Sequence, residues 1–320
     1  MRERRRAARR FGLNGGGAYH GQRKDQEVRL AIASGKGGTG KTSVAVNLAA
    51  SIDGPVRLLD CDVEEPNCHI FLRPEVDRKE QVQVPVPRVG LERCNACGEC
   101  GQVCQFHAIV SLKTKPLVFP DLCHGCGGCA RFCPTGAIEE IPHEVGVVEI
   151  GRRGAVELVQ GTLRVGHPTA VPVVRAVKRH ARDDATNIVD CPPGTSCPMI
   201  AAIRDSDYVI LVTEPTPFGL HDLTLAVDTV RQIGLPFGVL LNRAGANDGL
   251  VLRYCQHEDV RVLMRIADDR RIAEAYSRGV MAVAAIPGLR DGFRRLYSTI
   301  ARGLAAGQRS AARGAWNANI

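Results

Sequence analysis

Short apolar runs recur along the chain, separated by longer stretches of mixed character. Val28 to Ser34, Pro55 to Asp62, Thr186 to Asp190, Asp207 to Thr213 and Phe237 to Asn242 read as buried strands. Ser43 to Ala50 and Val171 to Arg182 read as helices, and a helix is expected after each of the last two strands. Strand alternating with helix implies a parallel sheet, hence an α/β fold. Val147 to Ile150, Ala155 to Val159 and Thr162 to Val165 alternate instead, punctuated by Gly151, Gly154, Gly161 and Gly166, and read as β-hairpins. Near the end, Phe293, Leu296, Tyr297, Ile300 and Leu304 recur at helical spacing, with Arg294, Arg295 and Arg302 between them. That face suits a helix closing over a sheet better than one lying on a membrane. Residues 305 to 320 read as a disordered tail.

At 320 residues the chain has room for one large α/β domain and a small one. Its net charge is +8, but the first ten residues hold six arginines and one glutamate, leaving only +3 for the remainder. The fold itself is therefore not strongly basic, and no nucleic-acid partner is expected. Residues 1 to 26 read as a basic, disordered tail with a glycine-rich linker. No apolar run reaches the roughly eighteen residues that span a bilayer, and no signal peptide is visible, so the expected location is cytoplasmic. In that compartment thirteen cysteines point to metal or redox chemistry more than to disulfides.

Between the first strand and the first helix lies Gly35-Lys36-Gly37-Gly38-Thr39-Gly40-Lys41-Thr42, matching G-x-x-x-x-G-K-[ST] at every defined position. The glycines let backbone N–H groups turn inward around phosphate oxygens. Lys41 can then reach the β/γ-phosphates, Thr42 can offer its hydroxyl to Mg²⁺, and the helix directs its N-terminal dipole at the anion. ATP and Mg²⁺ are the expected ligands. Asp60 and Asp62 end the second strand at period two, where one or both can orient water around Mg²⁺. Asp190 ends a later strand and fits the acid that holds the Mg²⁺ water.

Lys36, directly after the first glycine, makes the loop resemble the deviant phosphate loop of the MinD/ParA superfamily of ATPases. The resemblance implies a nucleotide-sandwiched homodimer in which Lys36 reaches the partner's phosphates. It also implies that Asp62 activates water and that Asn242 contacts adenine. Asp190-Cys191-Pro192-Pro193-Gly194 resembles the second switch of the Mrp/MinD branch, with Gly194 at the γ-phosphate. Cys191 and Cys197 in that loop invite comparison with the cluster shared across the nitrogenase iron protein dimer; buried or inert thiols are the plainer reading. The C-x-x-C that Mrp-type carriers use near their C-terminus is absent.

Two further segments, Cys94 to Cys104 and Cys123 to Pro134, share the spacing C-x₂-C-x₂-C-x₃-C. By that rule Cys94, Cys97, Cys100 and Cys133 hold one [4Fe-4S] cluster, while Cys123, Cys126, Cys129 and Cys104 hold a second. Structural zinc is the alternative, but four-ligand zinc sites pair two C-x₂-C hooks over a longer gap. The segment resembles a bacterial two-cluster ferredoxin, except that Gln105 follows the first group where proline is usual. Its expected bounds are 89 to 141, inserted into an ATPase domain of 27–88 and 142–304. His107 and His124 stand near the clusters, where N–H donors can tune potential.

The expected architecture is thus a mostly parallel P-loop NTPase sheet flanked by helices, with an inserted ferredoxin-like α+β domain. Three functions follow: ATP-gated electron transfer, handling of metal clusters for an acceptor protein, or a spatial organiser whose clusters sense redox state. The expected partners are a second copy and an unidentified redox or cluster-acceptor protein.

Overall fold

In the computed structural model, which describes residues 28 to 308 apart from 113, the apolar runs assemble into one nine-stranded sheet. The basic tail expected over 1–26 and the end from 309 lie outside the described residues. The first half-turn of the fold runs β1 (Arg29–Ala33), α1 (Lys41–Ala49), β2 (Val56–Asp60) and α2 (Cys68–Leu72). A long strand, β3 (Glu75–Val89), leads out to α3 (Glu99–Val103), β4 (Ile109–Ser111), β5 (Pro116–Val118) and α4 (Gly128–Arg131), and β6 (Ile138–Arg153) leads back. There follow β7 (Val156–Leu163), α5 (Val171–Lys178), β8 (Thr186–Asp190), α6 (Cys197–Ile203), β9 (Tyr208–Thr213), α7 (Pro217–Ile233) and β10 (Phe237–Ala244). The chain closes with α8 (Gly249–His257), β11 (Val262–Ala267), α9 (Arg270–Ser277), α10 (Ala282–Ala285) and α11 (Leu289–Gly303).

The strand order is β11-β10-β9-β1-β8-β2-β7-β6-β3. Pairs from β11 to β7 are parallel, and β7–β6 and β6–β3 are antiparallel. Every residue of β2 and β8 is buried, because helices cover both faces. One face carries Val173, Val177, Met199, Leu223 and Val227 from α5, α6 and α7. The other carries α1 together with Phe293, Leu296 and Ile300 of α11, each worth roughly 1.5–3 kcal/mol when fully buried. α7 shows how local sequence sets such a helix. Thr216 accepts from the Gly219 N–H at 2.9 Å, Pro217 opens the first turn, and Gly234 ends it at φ 77°.

The sheet corrects the expected hairpins. β6 and β7 form a single hairpin, and Thr162 and Leu163 finish β7 instead of starting a new strand. Gly161 is not turn punctuation: a Cβ there would press on Val63, Val173 and Val177 at 2.7–2.9 Å, so the residue is small for packing. α5 ends at Lys178, short of Arg182, because the Asn187 amide bonds both the N–H and the carbonyl of Arg182 and bends the chain into β8. Beyond α11 the helical path continues as a π-turn, Leu304–Gln308, into the stretch expected to be disordered.

β3 and β6 pair over their whole length, from Glu75↔Arg152 to Val89↔Ile138. Val82, Val84 and Val86 face the core while the intervening residues face out, and β3 is the sheet edge, where Pro85 and Pro87 need no ladder partner. The excursion over 90–137 therefore hangs from the far end of one paired ribbon.

Candidate functional site

Residues 34–40 leave the C-terminal end of β1 and turn into α1, whose first residue is Lys41, 5% exposed. Gly40 takes φ 93°, and a Cβ there would run into the Asn242 side chain. The Asn242 amide donates to the Thr39 carbonyl at 2.8 Å, so the end of β10 braces the loop. The residue expected at adenine is thus engaged with the loop backbone. Gly194, expected at the γ-phosphate, donates its N–H to the Ser34 carbonyl at 3.0 Å and ties the loop after β8 to the start of the P-loop. Lys36 Nζ lies 2.6 Å from Glu214 Oε1, and Arg243 holds the other Glu214 oxygen at 3.0 Å. Lys36 is therefore folded against its own chain.

Register places Asp60 opposite Asp190 on neighbouring strands, and both are fully buried. Burial drives the Asp60 carboxyl well above its usual range, and the Asp190 charge adds to the effect. Burial raises Asp190 too, against the pull of the neighbouring Thr42 hydroxyl and the charge of Lys41. The two acids differ in what they hold. Asp60 accepts from the Asp62 N–H at 3.2 Å and the Cys68 N–H at 3.1 Å, fixing the loop between them. Asp190 Oδ1 has no partner, nor does the buried Thr39 hydroxyl. A buried oxygen left without a partner is costly, and Thr42 lies against the same carboxyl. Oxygen donors from Thr42 and Asp190 fit a hard divalent cation, and the Thr39 hydroxyl fits a phosphate oxygen. Asp62 is partly exposed. Burial pushes its carboxyl up to about 6, with Lys41 pulling down and Asp190, Glu65 and Glu64 pushing up.

Cys68 was missed in the sequence: its thiol lies 3.5 Å from Asp190 Oδ2, yet no spacing marks it. Glu214 opens the loop 214–221, which resembles one in MinD-like ATPases with ferredoxin inserts, but its pairing with Lys36 has no local signal. Cys191 is fully buried and its thiol is pushed up by burial, while Cys197 is exposed, so the loop does not present the two on one surface.

The eight patterned cysteines sort by fours. Cys94, Cys97, Cys100 and Cys133 line one pocket, with Val89, Ile138 and Pro116 among its walls. Cys104, Cys123, Cys126 and Cys129 line a second, walled by Pro85, Pro87 and Glu140 of the ribbon. All eight are free thiols. Donors already aim at two of the sulfurs: Gly125 N–H at 3.4 Å from Cys123 and Ala137 N–H at 3.3 Å from Cys133. Four sulfurs per pocket with N–H···S bonds fit an iron-sulfur cubane. His124 stacks on Phe106 with ring centroids 3.7 Å apart, and His107 takes φ 51° in a turn.

A mostly parallel sheet with a phosphate loop at the end of a central strand defines a P-loop nucleotide-binding protein. Residues 30–283 match the family model described as CobQ/CobB/MinD/ParA nucleotide binding domain, and the chain belongs to that family. A Methanocaldococcus jannaschii protein described as "Uncharacterized protein MJ0578" is 34% identical over 227 residues, covering 69% of this chain and 80% of its own. "Uncharacterized ATP-binding protein MJ0547" of the same organism is 24% identical over 273 residues, 81% of each chain. The fold is shared with the septum site-determining protein MinD of Pyrococcus horikoshii, solved with Mg-ADP: TM-score 0.56, 21% identity, 89% of this chain and 100% of that one. Among the described residues no helix is long and apolar enough to cross a membrane.

Proposed function

We propose that this protein is an ATPase that binds and hydrolyses ATP between two copies of the chain and couples that cycle to two [4Fe-4S] clusters held over residues 90–137. The observation that carries the coupling is the sorting of eight cysteines, four and four, into two pockets of a unit that both enters and leaves through strands of the nucleotide-binding sheet. A unit attached at both ends moves with that sheet.

In this reading the P-loop N–H groups and Lys41 hold the phosphates. Thr42 and Asp190 hold Mg²⁺, which when bound neutralises charge on the phosphate oxygens. Asp60 keeps the loop after β2 in place through the Asp62 and Cys68 N–H groups, so that Asp62 sits where it can orient the attacking water. Lys36 leaves Glu214 to meet the partner's phosphates, and Gly194 carries the state of the γ-phosphate into the loop before α6. Asn242 sets the loop floor. The clusters, when bound, each store an electron for a redox or cluster-acceptor partner.

The test uses anaerobically purified protein. About eight iron and eight sulfide per chain are expected, with ATP turnover that Lys41→Ala abolishes and that changes when the clusters are reduced. Zinc in place of iron would overturn the cluster reading. Equal turnover with oxidised and reduced clusters would overturn the coupling and leave the clusters as cargo.

A further inference from the structure

A cavity of about 510 Å³ opens between α5 and α6, on the sheet face away from α1, and reaches down to Leu59 and Val189. Its size falls within the range of small-molecule sites. Five cations line it, Arg29, Arg175, Lys178, Arg179 and Arg204, against one lining acid, Asp205, and with Asp183 paired to Arg29 from outside the lining the surplus is three positive charges. Two of the five have partners. Arg29 pairs with Asp183 at 3.0 Å. Lys178 donates to the carbonyls of Ala201 and Arg204, capping the end of α6, with Asp205 at 3.9 Å.

The guanidinium groups of Arg175, Arg179 and Arg204 have no hydrogen-bonding or ionic partner among the described residues. A helix C-terminus favours nearby cations, which suits Arg175 on the last turn of α5 and Arg179 at its C-cap. It does not explain why Arg204 and Arg29 converge on them from two other elements, nor why two like charges stand four residues apart, a destabilising spacing. A guanidinium offers a planar fork of donors matched to carboxylate and phosphate.

We propose that this cavity is a binding site for a small polyanion carrying two or more carboxylate or phosphate groups, gripped by Arg175, Arg179 and Arg204. The surplus charge exceeds what one monoanion balances, and a hole of ligand size reaching sheet side chains suits a compact molecule better than a protein surface. The Ser206 side chain adds a hydroxyl at the wall. Cys197, exposed at the first turn of α6, also lines the cavity and reports on its occupancy.

The experiment takes the full chain with its clusters assembled and its P-loop saturated with Mg-ADP, so that the phosphate loop does not compete. Citrate or pyrophosphate is titrated at fixed ionic strength, with free Mg²⁺ buffered at a low fixed level and Mg-ADP kept saturating. Calorimetry should show one anion bound per chain, and alkylation of Cys197 by iodoacetamide, followed by peptide mass spectrometry, should slow at least about fivefold. Preference for citrate identifies a carboxylate ligand, and preference for pyrophosphate a phosphate one. Arg204→Gln and the double variant Arg175→Gln, Arg179→Gln should each weaken binding about tenfold, the loss of a charged hydrogen bond. These side chains are exposed, so the variants should melt with the parent. No saturable binding of either anion, or equal binding by the variants, would sink the proposal and leave only diffuse surface charge.

Discussion

At the scale of single residues, the nucleotide end of the sheet is arranged around two kinds of polar atom: those already engaged and those left waiting. Asn242 is engaged, with its amide on the Thr39 carbonyl. Asn242→Ala removes one partly buried hydrogen bond and frees the loop, so nucleotide affinity should fall about five- to tenfold by calorimetry while the fold holds. Unchanged affinity would mean that Gly40 and Ser34 fix the loop without it. Asp190 is waiting, because its Oδ1 has no partner and burial raises its carboxyl. A carboxyl whose folded value is raised favours folding at low pH and loses that contribution as pH rises. Asp190→Asn should therefore raise the melting temperature of metal-free, nucleotide-free protein by about 2–4 °C, with the gain larger at pH 8 than at pH 5. The same variant should lose the stabilisation that Mg-ADP gives the parent. Thermal melts with and without Mg-ADP check both signs.

The element that stands out is the β3/β6 ribbon. Its last register pair, Val89↔Ile138, brings the two ends of the excursion side by side, as a two-residue turn would. Replacing residues 90–137 by Asn-Gly should leave a soluble protein that still binds Mg-ADP and lacks the proposed clusters. Aggregation of that deletion would show that the excursion supports the sheet. The excursion has little core of its own: Cys100 and Ile109 bury against Ile138 of β6, while Ala108 and Cys123 join the main core. So small a core needs a staple, and if the proposed clusters supply it, protein prepared without iron should be cut by trypsin first within 90–137. What was legible in the sequence follows the same division. The buried parallel strands were legible because helices cover both of their faces, and so was the phosphate loop, because each of its positions has a fixed backbone role. The length of β3 and β6 was not, since prolines on an edge strand and glycines at close approach look like turn signals. Nor was β11, a half-exposed edge carrying Arg265. Cys68, Glu214 and the bracing role of Asn242 depend on contacts across tens to hundreds of residues, which no local pattern records.

At the scale of the whole molecule, the proposed cycle turns on where Lys36 points. In this conformation its ammonium is held by Glu214, which Arg243 holds in turn, and the Lys36 side chain is 29% exposed. To reach a partner's phosphates Lys36 must give up that pair, so Glu214 opposes dimer formation by the strength of a half-buried ion pair. Such a pair contributes on the order of 1 kcal/mol. Glu214→Gln removes the opposing charge and keeps the side-chain shape, and Arg243 becomes solvent-facing. The variant should therefore form ATP-dependent dimers at about fivefold lower protein concentration than the parent, measured by light scattering in an Asp62→Asn background that slows turnover. Both proteins should be monomers in ADP. If Glu214→Gln instead weakens the ATP-bound dimer, Glu214 belongs to the interface and not to the latch. If neither forms a dimer in ATP, Lys36 acts within its own chain and the shared-nucleotide arrangement is wrong for this protein. The three outcomes separate because ATP binding itself is read independently, through the P-loop, by calorimetry on the same samples.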